Sequence, residues 1–377
     1  MALQELAPTA TAYNKKKSFS TEEKEAYAQK KQDEMNELFE RINKGVLDVF
    51  NSESFKSYLK FCSKFHDYSM NNTVLIAMQK PEATLVAGYS TWKQLGRQVE
   101  SGQKGISILA PVVTKTNHIF EYTTAVLDEK GNKVYNSDGT EQTETVEKAF
   151  KELRFKKAYV FDVSQTSGKE LPQLLDTELS GDVPKDKKEC ILNSLAAVAG
   201  TEITFEDIQS GAKGYYSHIE NKIAVKTGMS DLQTLKTAFH ETAHCLLHDT
   251  KKDTAIQNAS RNDKELQAES VAFIVASHFD MDTSEYSFPY IAAWSDSGKP
   301  PIDKLKNVLT EIQKASKMII SQVDEDLLKL EKAKQNEAEN KALPFPNVGI
   351  KQPTGVLKQN NEAVAVQLSE QIHSMKR

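Results

Sequence analysis

His240-Glu241-Thr242-Ala243-His244 forms an HExxH pentapeptide in a segment with helical periodicity. Residues four apart on a helix lie one above the other, so both imidazoles can reach one metal ion. Glu241 lies about 100° further around the helix, close enough to act on water without being a ligand. Neutral imidazoles suit Zn²⁺, and two nitrogens leave room for a third protein ligand and an open position. A catalytic zinc polarises a carbonyl and brings the pKa of water to about 7; Glu241 would then take the water proton and pass it to a leaving amine.

A third ligand is expected from Glu269, inside the apolar run Ala268-Glu269-Ser270-Val271-Ala272-Phe273-Ile274-Val275-Ala276. A carboxylate in such a helix must be paired, hydrogen-bonded or bound to metal; pairing with Arg261 or Lys264 is the structural alternative. Glu265 competes from one turn earlier, but Asn262-Asp263-Lys264-Glu265 has the spacing of an N-cap and its N3 partner. That gives Glu265 a capping duty, or a supporting hydrogen bond to a ligand. His248 extends the four-residue row, yet eight helical residues span about 12 Å, too far for His240 and His248 to share an ion. A place at the helix C-terminus, favoured by the dipole, is expected for it. Cys245 points elsewhere and reads as core. His278, Tyr215, Tyr216, Tyr286 and Tyr290 are candidates to stabilise an oxyanion, and no spacing selects among them.

These residues need elements to hold them. Ser230 is placed to cap an HExxH helix ending near His248, and a second helix is expected over Asp263–His278. Strands are expected around Ile203 and over Lys222–Val225, a helix near Cys190–Val198, and a long charged helix over Asp303–Gln335. Upstream, Ser20 and Glu23 have capping-box spacing ahead of a charged helix reaching about Phe50. Phe55, Tyr58, Leu59, Cys62 and Phe65 make an apolar helical stripe. Asn71–Gln79 is a third helical piece stopped by Pro81. Thr84–Gly88, Ile106–Val113 and Ala158–Val163 read as strands, with a short helix capped by Ser90 or Thr91 after the first. Asp128–Asn132 and Asn136–Gly139 are turn clusters between short strands.

The chain has 377 residues, room for two domains and tails. A mean hydropathy of −0.53 and no apolar run near 20 residues exclude a membrane span. The start lacks a secretory signal pattern, and Cys62, Cys190 and Cys245 suit reduced thiols; a cytoplasmic location is expected. Net charge is −5, but Lys56 to His118 carries eight basic residues against three acidic ones, a local excess of five. Such an excess can serve phosphate contacts, or be a solvated face.

At the HExxH and at Glu269 with Phe273 four residues on, the chain resembles ImmA/IrrE-type metallopeptidases. Glu265 to Trp294, ELQAESVAFIVASHFDMDTSEYSFPYIAAW, is more similar still to the ArdC-like proteins of plasmids, conjugative elements and phages. Asn71 to Pro111, with Gly88, Trp92, Gly96, Arg97, Gly102, Lys104 and Gly105, resembles the ArdC N-terminal domain. That resemblance implies single-stranded DNA binding and protection of incoming DNA from restriction. In this light Trp92 and Tyr89 are candidates to stack on bases, and Lys93, Arg97 and Lys104 to follow a phosphate backbone. On the residues alone, a core Trp92 and turn glycines remain open.

The expected fold class is α+β: an N-terminal α+β single-stranded-DNA-binding domain, then a mostly helical zincin-like metallopeptidase domain with a small sheet. The expected division is an irregular start at 1–19, a DNA-binding domain over 20–165, a linker at 166–188, the peptidase-like domain over 189–335 and a polar tail at 336–377. Expected partners are single-stranded DNA and a protein or peptide substrate. Two further readings stand beside this one: a cytosolic protease cleaving a regulatory protein, and a binding module in which zinc is structural.

Overall fold

The computed structural model describes residues 20–50, 52–128, 133–171, 179, 183–249, 260–288, 291 and 300–341. The start at 1–19, most of the tail, Tyr290 and Trp294 lie outside them. Helix α1 (Thr21–Val49) opens on the expected capping box: Ser20 Oγ accepts from the Glu23 amide and Glu23 accepts from the Ser20 amide. Its first turns are exposed, and burial begins at Leu38, Ile42 and Val46. Helix α2 (Ser52–Lys64) buries Phe55, Tyr58, Leu59 and Cys62 of the apolar stripe. Helix α3 (Met70–Gln79) is capped by Ser69 and ends before Pro81.

A two-residue strand (β1, Val86–Ala87) and a short helix (α4, Tyr89–Gln94) follow; Gly88 rather than Ser90 or Thr91 holds the N-cap position. Strand β2 (Arg97–Val99) pairs with β5 (Thr166–Gly168), so the expected linker begins inside a sheet. Strands β3 (Ile106–Ala125) and β4 (Thr143–Asp162) make one antiparallel ribbon, in register from Ile106↔Val160 to Ala125↔Thr143 with a shift between Val113 and Asn117. The sequence suggests several short strands here because its outer half has no apolar face to alternate. Sheet order is β1-β4-β3. The outer edge of β3 is occupied at its base by side chains of α3. Asn72 bonds both the amide and the carbonyl of Leu109, at 2.8 and 3.0 Å, and Gln79 does the same for Ser107. At the base of the ribbon the edge is therefore not free to pair with another strand.

The second half begins with α5 (Lys185–Ala199) and a three-stranded sheet ordered β6-β8-β7. Here β6 (Glu202–Glu206) runs parallel and β7 (Gly214–Ser217) antiparallel to β8 (Lys222–Lys226). Helices α6 (Asp231–His248) and α7 (Arg261–His278) pack together, and α8 (Ile302–Lys341) crosses them. The architecture is α+β, with a mixed first half and a mostly helical second half.

One apolar core runs through both halves, from Leu38 and Val46 of α1 and Leu59 of α2 to Val271 and Ile274 of α7 and Ile312 and Ile319 of α8. A second cluster, Phe61, Phe65, Ile76, Ile106, Ile108 and Val160, seats the base of the ribbon on α2 and α3. Polar groups of α8 join the halves as well. Gln313 donates to Tyr68 O at 2.8 Å and Thr73 Oγ1 at 2.7 Å while 5% exposed. His278 of α7 bonds Ser63 O at 3.1 Å and Asp324 of α8 at 3.0 Å.

Candidate metal centre

Ser230 caps α6 by accepting from the Gln233 amide, and the helix presents His240, His244 and His248 at successive four-residue steps. On α7 the N-cap is Ser260, which accepts from the Asp263 amide. The expected Asn262–Glu265 cap does not form. Glu265 is therefore free of helix-end duty and, with Glu269 one turn on, faces α6.

The two glutamates meet different atoms of the histidines. His240 Nε2 and His244 Nε2 are 3.1 Å apart, and Glu265 Oε2 lies 3.5 and 3.7 Å from them. A tetrahedral ion with bonds of roughly 2.0–2.1 Å needs ligand separations of roughly 3.3 Å. The trio fits, and among the described residues it is the group of His, Cys, Asp or Glu whose ligand atoms all lie within 4.8 Å of one another. Glu269, the expected third ligand, lies 3.2 Å from His240 Nδ1. A carboxylate at Nδ1 is a position from which an imidazole can be oriented. Ser260-Arg261-Asn262-Asp263 is a second capping spacing, two residues upstream of the expected one, and its use leaves Glu265 without a capping role.

His244 has a supporting chain of its own. Its Nδ1 is 2.9 Å from His248 Nδ1, His248 Nε2 is 3.0 Å from Gln267 Oε1, and Gln267 donates to Glu311 of α8 at 2.5 Å. His248 does end the helix as expected, but burial pushes its pKa down to about 4. A neutral ring gains nothing from the helix dipole; its place is explained by the hydrogen bonds.

Burial works against a charge on His240, but the Glu265 and Glu269 carboxylates outweigh it and raise its pKa to about 10. His240 and then His244 hold Glu265 well below the usual carboxylate range. Glu241 is 8% exposed, and burial raises its pKa. The Tyr216 amide of β7 donates to it. Strand β7 approaches this closely only because residue 214 is glycine: a Cβ there would lie 2.6 Å from Thr237 Cγ2 and 3.1 Å from Glu241 Cγ. The carboxylate opens on a cleft of about 370 Å³ lined by Lys213, Lys236, Thr237, His240, Glu269 and Tyr286, among others.

The remaining candidates separate. Tyr286 lines the cleft, Tyr215 bonds Glu206 at 2.8 Å, and His278 is engaged at the junction of the halves. Cys245 is buried core, as expected. Upstream, two expected DNA contacts are corrected. Trp92 is 0% exposed and donates to Phe161 O at 2.9 Å, so no base can stack on it. Arg97 spends its guanidinium on Thr166 and on Lys169 O, clamping β2 to β5. Tyr89, Lys93 and Lys104 are exposed.

Among the described residues no helix is long and apolar enough to cross a membrane. Comparison with known proteins gives two domain matches. The N-terminal domain of the anti-restriction factor ArdC matches residues 24–161, and the IrrE N-terminal-like domain matches residues 196–289. An uncharacterized protein of Bacillus anthracis, pXO2-81, is 28% identical over 333 residues, 82% of this chain and 54% of its own. The chain thus spans about half the length of that relative. Two crystal structures of the antirestriction ArdC protein from the R388 plasmid also align. The metal-free one covers 68% of this chain and 85% of its own, at 20% identity and a TM-score of 0.39. For the Mn(II)-bound one the figures are 68%, 84%, 19% and 0.40. The HExxH helix and both α7 glutamates fall within the IrrE-like match, so the chain carries a region similar to the ArdC N-terminal domain followed by an IrrE-like domain.

Proposed function

We propose that the second half is a zinc-dependent peptide hydrolase centre and that the first half binds single-stranded DNA. The observation that carries the first statement is the convergence of His240 Nε2, His244 Nε2 and Glu265 Oε2 beside a buried Glu241. Two nitrogens and one carboxylate oxygen suit Zn²⁺. When bound, zinc supplies Lewis acidity toward a carbonyl and toward water. Glu241 supplies the base: burial favours its uptake of a proton, and its position on the cleft lets it return that proton to a leaving amine. Tyr286, which lines the same cleft, would hydrogen-bond a substrate oxygen.

The purely structural reading of the metal is disfavoured by the cleft, since a structural site closes its fourth position with protein. The reading as a protease of a regulatory protein shares this centre and differs only in substrate. For the first half, the support is the ArdC N-terminal domain match together with exposed Tyr89, Lys93 and Lys104. The test is Glu241→Gln. It should keep zinc at wild-type stoichiometry while peptide hydrolysis falls by about 10²–10⁴-fold. Hydrolysis that survives the substitution overturns the catalytic role.

A further inference from the structure

The ribbon has a division of charge that the centre on α6 and α7 does not use. From Lys148 to Lys157 the sequence KAFKELRFKK holds five basic residues and one acidic, a net of +4. From Glu121 to Glu147 it holds seven acidic residues and two basic, a net of −5. The stem nearest the body is therefore cationic and the outer half anionic. On the stem, Phe155 is 48% and Tyr159 54% exposed, and no core explains them. With Lys157 between them they occupy alternate positions of β4, so all three share one face. Lys157 Nζ stands 5.7 Å from the Tyr159 ring centroid. The exposed start of α1 runs beside this face: Tyr27 is 64% exposed, with Lys31 Nζ 5.6 Å from its ring centroid.

Exposed rings alternating with ammonium groups match what an unpaired strand needs, stacking surfaces for bases and cations for phosphates. A duplex hides its base faces and gains nothing from the rings. We infer that the stem of the β3–β4 ribbon, with Phe155 and Tyr159 as stacking platforms and Lys157 as a phosphate contact, is the path of single-stranded nucleic acid on this protein, and that the acidic outer half keeps the strand on the stem. This rests on the DNA-binding reading above and moves its surface from Trp92 and Arg97 to β4. Phe155 and Tyr159 are about 13 Å apart along the strand, so they serve different nucleotides.

The test is fluorescence anisotropy of labelled oligo-dT with the full-length protein. Wild type, Phe155→Ala/Tyr159→Ala, Lys157→Ala and the outer control Tyr122→Ala/Tyr135→Ala are compared, each checked for unchanged melting. The aromatic pair should lose about tenfold or more in affinity. Lys157→Ala should flatten the logarithmic salt slope by about 0.7, and the control should bind as wild type does. If wild type binds but the aromatic pair binds equally well, the path lies elsewhere and DNA binding stands. If wild type binds duplex as tightly as single strand, or if polyglutamate competes equally with oligo-dT, the stem is a general anion surface and the inference fails. If wild type does not bind oligo-dT at low salt, the DNA-binding reading falls and this inference with it.

Discussion

The Glu269 carboxylate lies 3.2 Å from Nδ1 of His240, on the side of the ring away from His244. A hydrogen bond there fixes which nitrogen of His240 carries a proton and leaves Nε2 to a metal. The two glutamates of α7 should then behave differently when removed. Glu269→Ala should retain zinc with affinity reduced by about 10–100-fold. Glu265→Ala should no longer hold zinc at stoichiometry. Competition with a chromogenic chelator measures both, and the opposite ranking would return the ligand role to Glu269.

His248→Ala should also weaken zinc binding, by about 10–100-fold, although His248 is not placed to touch the ion. The chain from His244 through His248 and Gln267 to Glu311 is the reason, because its loss leaves the His244 ring free to turn. Equal zinc affinity in the variant and wild type would make His248 a packing residue only.

Gly214→Ala places a methyl 2.6 Å from Thr237 Cγ2 and 2.9 Å from Ala224 O. Strand β7 would have to move off α6. A cost of about 1–3 kcal/mol is expected, read as a lower melting temperature by circular dichroism. Unchanged melting would show that β7 does not depend on this close approach.

The two histidines at the junction of the halves should shape stability against pH with opposite signs. Burial lowers His66 to about 4, so it contributes stability above about 6.5, lost as pH falls from 6.5 toward 4. His278 is opposed by burial, but Asp324 wins and raises it. Its contribution is present below about 6.5 and fades as pH climbs through the raised value. Asp67, Lys317 and Asp280 also border the pair. Urea denaturation at mildly acid, near-neutral and alkaline pH should show His66→Asn losing the acid limb and His278→Gln the alkaline one. Parallel curves for variants and wild type would refute the assignment.

Much of this was readable in the residues before any coordinates. Helices α1, α2, α6 and α7 follow from caps and from 3.6-residue apolar spacing, and the pair His240 and His244 from four-residue spacing alone. The cap expected from Asn262 to Glu265 is replaced by one at Ser260 because two overlapping capping patterns compete at the start of α7, and which one forms depends on where the chain enters the helix. The length of the ribbon was hidden because a two-stranded arm beyond the core has no buried face to impose alternation. The role of Trp92 turned on burial, which residue type does not encode: an indole serves equally as a core filler or a stacking surface. The chain from His248 to Glu311 joins residues far apart in sequence, and no local pattern announces it.

Helix α8 begins after residue 289, where the IrrE-like match ends, yet it supplies Leu305, Leu309, Ile312, Ile319, Ile320 and Val323 to the shared core. A fragment cut at that boundary would bare one wall of the core and remove Gln313, which ties the turn after α2 to the rest. The unit that inheritance copies and the unit that folds thus have different lengths. Expression of either matched region by itself should yield aggregating material, and a nucleic acid gripped at the ribbon should raise the melting point of the whole molecule in one transition.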